Sequence, residues 1–407
     1  MKHILVLGAG FAGLAAAAGA MRKLVQSGAE NSVSVTVVDQ NSFHSIRVRN
    51  YEEALEDSLV PLASVLDPIG VGHLQGRVVA INTQSRCVDI ETDQGRTRQP
   101  YDELVCALGS RLNKPDSVPG LLQHAFDIDT YASATALRTH LHGLAAQPVF
   151  AGQFTVVVVG GGFTGIELAA ELPARLRPLQ SACPGAEPLR VVLLEAGPRL
   201  GGAMTHDAHE VVMQALGSLG VEVQVGARVA AVCEQGVSLS DGSFIAAATT
   251  VWCGGMSAHP LMRQSGFECD VLGRARVDTH QRVEGVPHVF ATGDCAVFEI
   301  CPGHDNVMSC QHGRPMGRFA GHNAAAAVLG QPLLPLQIER YVTVMDLGEW
   351  GALYTEGRDR RLVASGPQVK QTKQTINRQR IYPPRTGQCN DILDDAAPVL
   401  QAAPKTA

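Results

Sequence analysis

Apolar runs of strand length, each closed by glycine or an acid, alternate along this chain with stretches of helical spacing. The first run, His3 to Leu7, leads into Gly8-Ala9-Gly10-Phe11-Ala12-Gly13 and then an Ala-rich helix over Leu14 to Leu24. A second run, Val33 to Val38, ends at Asp39 and Gln40. Strand, Gly-x-Gly-x-x-Gly, helix, strand and acid is the order in which a βαβ unit holds a dinucleotide. Gly8 permits the tight turn, Gly10 lets the backbone approach a pyrophosphate, and Gly13 lets helix and strand pack closely. The helix N-terminus faces the phosphate charge, and Asp39 stands where a carboxylate would take a ribose 2′-hydroxyl.

Leu74 to Val88 reads as strand, turn and strand, with backbone at Val78 and Val79 available to an adenine. Tyr101 to Ser110 reads as a buried strand that ends through Ala107 at Gly109, and Tyr131 to Ala145 as an amphipathic helix. Then the opening pattern returns. Val156 to Val159 leads into Gly160-Gly161-Gly162-Phe163-Thr164-Gly165-Ile166-Glu167 and a helix, and Val191 to Leu194 ends in Glu195. Two such units in register predict two dinucleotide sites. Glu195 would repel a 2′-phosphate and so favours NADH over NADPH, although Arg199 lies close enough in sequence to serve that phosphate. Thr250 to Gly255 is again a strand ending at glycines, Gly254 and Gly255.

From Val277 the chain returns to its first unit. Val289 to Ala291 forms a strand, Gly293 ends it, and Asp294 offers a carboxylate to a ribityl hydroxyl. A helix is predicted from about Pro315 to Leu329, its N-terminal dipole aimed at a flavin ring. Gln331 opens a last segment, with Ala396 to Ala407 expected to be disordered. The fold class is therefore α/β: two Rossmann-like domains, 1–115 with 275–330 and 116–274, and a small α+β domain, 331–407.

Composition narrows this picture. The 407 residues, 45% hydrophobic, can bury a substantial core. A net charge of −6 gives nucleic-acid binding no support. No apolar run reaches the ~18 residues of a membrane span, and the first strand leaves no room for a signal peptide. The ten cysteines form no Cys-x-x-Cys, so reduced thiols and a cytoplasmic location are expected. Cys295, Cys301, His304, Cys310 and His312 match none of the usual zinc spacings, and no metal is expected. His206 and His209 read as a solvated helix face. Arg47 and Arg49 are either pyrophosphate ligands or surface arginines. Arg358, Arg360, Arg361, Lys370, Lys373, Arg378, Arg380 and Arg385 bias the last segment basic, which suits anionic headgroups, a solvated surface or a homodimer contact.

Taken together, Gly8 to Gly13, Asp39, Ser42-Phe43-His44, Gly160 to Glu167, Trp252 to Gly255 and Gly293-Asp294-Cys295-Ala296 resemble the two-dinucleotide-binding flavoprotein reductases. Within them the chain looks most similar to type II NADH dehydrogenases and the apoptosis-inducing-factor-like NADH:quinone oxidoreductases. The resemblance runs from the first strand to about residue 330. It implies FAD in the first unit, on Gly8, Gly10, Gly13, Asp39, Val78 and Asp294. It implies NADH in the second, with Glu167 beside the nicotinamide and Glu195 on the ribose. Phe11, Ala12, Gln40, Arg47, Ala107, Gly109, Gly160, Gly162, Thr164, Gly165, Gly254, Gly255 and Gly293 complete the expected cofactor contacts.

Two departures stand out. The cysteine pair of the disulfide-reductase branch is missing after Asp39. Where type II NADH dehydrogenases carry Ala-Gln-x-x-x-Gln, this chain reads Cys310-Gln311-His312-Gly313-Arg314-Pro315. Gln311 stays, and His312 is either a donor to the acceptor or a satisfied loop histidine. The expected activity is hydride transfer from NADH to FAD, with electrons passed on to a quinone-type acceptor near Gln311 and His312. A soluble acceptor such as a small iron–sulfur protein is the alternative within enzymes, and a non-catalytic NADH sensor the alternative outside them. The resemblance also carries peripheral contact with the inner membrane face through the C-terminal domain.

Overall fold

A computed structural model describes residues 1–404. The strand β1 (Lys2–Leu7) pairs in parallel with β2 (Val33–Asp39), and β2 with β3 (Gly72–Gln75). On its other edge β1 pairs with β4 (Glu103–Cys106), and β4 with the later strand Val289–Ala291. Ile4, Leu5, Val6 and Leu7 have no exposed surface, as expected of a parallel sheet covered on both faces. The helix α1 (Phe11–Gln26) follows β1 directly.

The second unit repeats this order. Around a central β6 (Thr155–Val159) lie β7 (Arg190–Glu195) and β8 (Val221–Val225) on one side. On the other side are β9 (Thr249–Trp252) and β5 (Ala125–Phe126), all parallel. The helix α2 (Phe163–Ser181) leaves β6 through the second glycine turn. Both turns need glycine for the same reasons. Gly8 and Gly160 hold φ +97° and +112°, and a Cβ on either would sit 2.5 and 2.6 Å from the carbonyls of Ala107 and Cys253. A Cβ on Gly13 or Gly165 would lie 1.8 or 1.9 Å from the carbonyls of Gly8 and Gly160. Gly10 and Gly162 face open space.

The helix α3 (Cys310–Val328) packs along α1 almost backbone to backbone. A Cβ on Gly317 would meet the Ala12 carbonyl at 2.1 Å, and one on Gly321 the Ala16 carbonyl at 1.9 Å. This helix starts five residues before the predicted Pro315. Ser309 caps it by accepting from the His312 N–H, and Pro315 removes only one hydrogen-bond donor in the second turn. Its N-terminus is therefore Cys310 and Gln311.

The final segment forms an antiparallel sheet of β10 (Val342–Asp346), β11 (Ala352–Glu356) and β12 (Arg361–Gly366), followed by α4 (Pro367–Thr375). Its basic residues do not form one surface. Of the eight singled out from the sequence, only Arg361, Arg378 and Arg385 are exposed; Lys373 is buried, and Lys370 is tied to Glu171 and Asp346. The expected disorder from Ala396 does not extend over residues 396–404. Ala396 is buried, Gln401 accepts from Arg314, and the Ala402 carbonyl from Arg380. Residues 405–407 lie outside the described residues. No helix among those described is long and apolar enough to cross a membrane.

The glycine geometry gives a paired expectation. Gly13→Ala, which drives a methyl group into the Gly8 carbonyl, should cost about 1–3 kcal/mol in urea unfolding. Gly10→Ala, at an ordinary φ of −70° with nothing near it, should stay within about 0.5 kcal/mol of the parent. Equal losses in the two variants would contradict the packing account.

Candidate functional site

Each unit ends its second strand in a carboxylate that ties down its own glycine turn. Asp39 accepts from the N–H of Ala9 at 2.7 Å and of Asn41 at 2.8 Å. Glu195 accepts from the N–H of Gly161 at 2.7 Å and of Gly197 at 2.6 Å. The two acids thus occupy equivalent places in the repeat, atom for atom. His44 adds a brace to the first turn, with Nδ1 donating to the Ala9 carbonyl at 2.9 Å and the ring set edge-on to Phe11. Burial lowers the His44 pKa to about 4, so the imidazole is neutral.

One cavity of about 1730 Å3 runs between the units and under the C-terminal segment. Pockets for single small ligands span roughly 300–1,000 Å3, so there is room for more than one. The first unit contributes Gly10, Phe11, Ala12, Asp39, Gln40, Arg47, Ala107, Gly109, Gly293 and Asp294 to its wall. Gly162, Thr164 and Glu167 come from the second, and Gln311 from α3. Gly8, Gly13, Gly160 and Gly165 stand behind the turns they shape, and Glu195 grips its turn from outside the wall. Gly254 and Gly255 also lie off it, with Gly254 set so close to Trp252 that a Cβ would meet the indole at 2.6 Å. Val78 is buried in the strand Arg77–Asn82, away from the cavity.

Arg47 and Arg49 part company. Arg47 lines the cavity, pairs with Asp129 and donates to the Ser110 carbonyl at 3.2 Å and hydroxyl at 3.1 Å. Arg49 is neither a ligand nor a surface residue: it is buried, held by Glu52 at 2.8 Å and by the Tyr382 hydroxyl at 2.6 Å. Ser110 in turn donates to Asp294 at 2.6 Å. Burial lifts the Asp294 pKa, while Ser110 and Arg47 pull it back. This carboxylate has acceptor capacity left for a ligand hydroxyl.

On the α3 side two expectations separate. With its amide oriented to satisfy both atoms, Gln311 donates to the Val342 carbonyl at 2.5 Å and accepts from the Val342 N–H at 3.3 Å. The amide is thus engaged by β10, although the residue stays on the cavity wall. His312 is a correction. It does not line the cavity; Nδ1 accepts from the Val307 N–H at 2.9 Å, and the ring packs against Tyr341. Burial lowers its pKa to about 4, so the ring is neutral. The buried start of α3 turns it inward.

Lys373 is the residue that sequence reading missed. Its ammonium meets Glu167 at 2.7 Å and the Val344 carbonyl at 3.0 Å on the cavity wall. Glu167 also accepts from the Asp346 N–H at 2.9 Å. Asp346 binds Lys370 and the Tyr51 hydroxyl, and Asn377 donates to that hydroxyl at 3.1 Å. Burial opposes the charge on Lys373, but Glu167 outweighs it and the pKa is raised. Burial lifts the Glu167 pKa, with Lys373 the main counterweight. Lys370 and Lys373 are one helical turn apart on α4, a spacing that signals a shared face. Their partners lie far off in sequence.

The site fits the two nucleotides that the motifs imply. Gly10 and Gly162 leave the N-termini of α1 and α2 bare of side chains at the cavity, and Asp294 retains free acceptor positions. Among the described residues no cluster of three or more His, Cys, Asp or Glu is placed to hold a metal.

Comparison with known proteins agrees with this geometry. The model of the family described as pyridine nucleotide-disulphide oxidoreductase matches residues 2–317. The NADH dehydrogenase-like protein MT1860 of Mycobacterium tuberculosis is 49% identical over 99% of this chain and 100% of its own. A type II NADH:quinone oxidoreductase of Staphylococcus saprophyticus is 28% identical over 88% of this chain and 90% of its own. Among solved structures, NDH2 from Plasmodium falciparum in complex with NADH superposes with a TM-score of 0.75. It is 12% identical, over 97% of each chain, and so speaks for the fold alone. With two matching nucleotide turns on one cavity and the family pattern covering both, the chain belongs to the pyridine nucleotide-disulphide oxidoreductases.

Proposed function

We propose that this protein is an FAD-dependent NADH oxidoreductase that delivers electrons to a quinone-type acceptor. The observation that carries the reading is that both glycine turns open onto one cavity. FAD, when bound, would supply the redox chemistry, taking hydride from NADH and passing two electrons on. The chain's own part is position and charge. Gly10 and the N-terminus of α1 would receive the FAD diphosphate, Asp39 its ribose and Asp294 its ribityl chain. Gly162, Thr164 and the N-terminus of α2 would receive NADH, with Glu195 selecting a free 2′-hydroxyl. Glu167, fixed by Lys373 and the Asp346 N–H, would orient the nicotinamide rather than exchange protons with it.

The acceptor reading rests on a different part of the wall. Besides Gln311 the cavity wall carries Ile338, Val342, Val344, Ile376 and Leu400, interleaved with Glu339, Arg340, Lys373 and Asn377, and these apolar side chains suit a planar ring. The name of the staphylococcal relative supports the same acceptor. Among the described basic residues of the last segment, only Arg340, Arg361, Arg378 and Arg385 are exposed to support contact with a membrane surface, which keeps a soluble acceptor as the rival.

Two outcomes are expected. Protein reduced without air and then mixed with a water-soluble quinone should be reoxidised stoichiometrically; rapid reoxidation by a small iron–sulfur protein but not by quinone would favour the rival. Glu167→Gln should slow flavin reduction by NADH at least about tenfold and cost about 3–5 kcal/mol by leaving Lys373 buried and unpaired. Adding Lys373→Met should recover stability but not the rate. Unchanged rapid-mixing kinetics in Glu167→Gln would contradict the orienting role.

A further inference from the structure

The turn between β11 and β12 holds Arg360 at φ +50°. Left-handed backbone is uncommon for a residue with a long side chain and favours glycine or asparagine. Such outliers cluster where a side chain must be aimed, and this one is aimed across the molecule. Its Nη1 donates to the Gly201 carbonyl at 2.6 Å and the Ala203 carbonyl at 3.3 Å. The guanidinium lies over the Phe163 ring, 4.4 Å from its centroid. Thr205 donates to the Arg360 carbonyl at 3.3 Å and pins the turn from the far side.

This places a cation from the C-terminal segment at the second glycine turn. Phe163 is the first residue of α2, and the Gly201 N–H donates to the Gly161 carbonyl at 2.8 Å. Arg360 lines the cavity together with Gly162, Phe163, Thr164, Gly201 and Gly202. Its contacts are two carbonyls and an aromatic face; among the described residues it has no carboxylate partner. Its Nε is buried with no hydrogen-bond partner at all. A helix N-terminus and an uncompensated guanidinium therefore converge where Gly162 leaves open space.

We propose that Arg360 binds the diphosphate of the dinucleotide in the second unit, so that the C-terminal segment completes the NADH site. The proposal rests on the NADH reading above and adds to it a residue outside both nucleotide units. A diphosphate fits better than a 2′-phosphate: the guanidinium contacts the start of α2, where a βαβ unit holds its diphosphate, and makes no contact with Glu195. Phe163 backs the guanidinium with its ring face, and the left-handed turn fixes its approach.

The test is anaerobic rapid mixing of the flavin-loaded protein with two hydride donors, NADH and a phosphate-free N-benzyl-dihydronicotinamide. In Arg360→Ala the NADH concentration for half-saturation of flavin reduction should rise about tenfold or more, with the limiting rate kept. Reduction by the phosphate-free donor should match the parent. Arg360→Gln, which keeps a donor for the Gly201 carbonyl but not the charge, should lose NADH affinity in the same way. Unchanged half-saturation would overturn the proposal. So would equal slowing with both donors, since that would make Arg360 a structural turn residue. A parent protein that NADH leaves oxidised would overturn the NADH reading itself, a separable result.

Discussion

The near-contact of α1 and α3 is the constraint on which the site depends. Ala12, Ala16 and Gly19 on one helix face Gly317, Gly321 and the Arg318 backbone on the other, at distances that leave no room for a single extra Cβ. This close fit brings the first turn of α3 to Gly293 and to the glycine turn that starts α1. Two helix N-termini thus open on the same end of the cavity, where backbone N–H groups favour negative charge. A larger residue anywhere along that seam would push the α3 wall away from the first nucleotide turn. The seam is dispersion and close packing of small residues against backbone.

A second tie joins the C-terminal segment to the nucleotide units. Lys373 reaches Glu167, Lys370 reaches Glu171, and Tyr51 of the first unit meets Asp346. Buried charges of this kind add little net stability, because desolvation offsets their attraction. What they supply is geometry. Each carboxylate of α2 has its cation on α4, so the face of α2 beside its glycine turn and the sheet β10–β12 cannot shift independently. Arg360 extends the same logic to the second glycine turn. The C-terminal segment therefore forms part of the wall of the cavity onto which both glycine turns open.

Much of this was legible in the sequence where the chemistry is local. Glycine spacing, the strand before it and the acid after the next strand are set within one βαβ unit. Gly8 to Asp39 and Gly160 to Glu195 could thus be read directly, and the structure repeats them bond for bond. The start of α3 was not legible, because Pro315 reads as a helix start and the Ser309 cap is a weak signal beside it. The Gly313, Gly317 and Gly321 spacing was the available clue to the seam with α1. His312 next to Gln311 looked like one functional pair, yet neighbours on a helix point in different directions and only Gln311 reaches the cavity. Lys370, Lys373 and Arg360 read as surface charge because their partners are supplied by distant parts of the chain. Only tertiary structure reveals such pairings.

The central claim is that two nucleotides meet in one cavity so that hydride can pass between them. Its most direct measurement is an anaerobic titration of the purified protein with NADH, followed by the visible spectrum. The account predicts a flavin band that one equivalent of NADH bleaches. A protein without flavin, or flavin that excess NADH leaves oxidised, would contradict it.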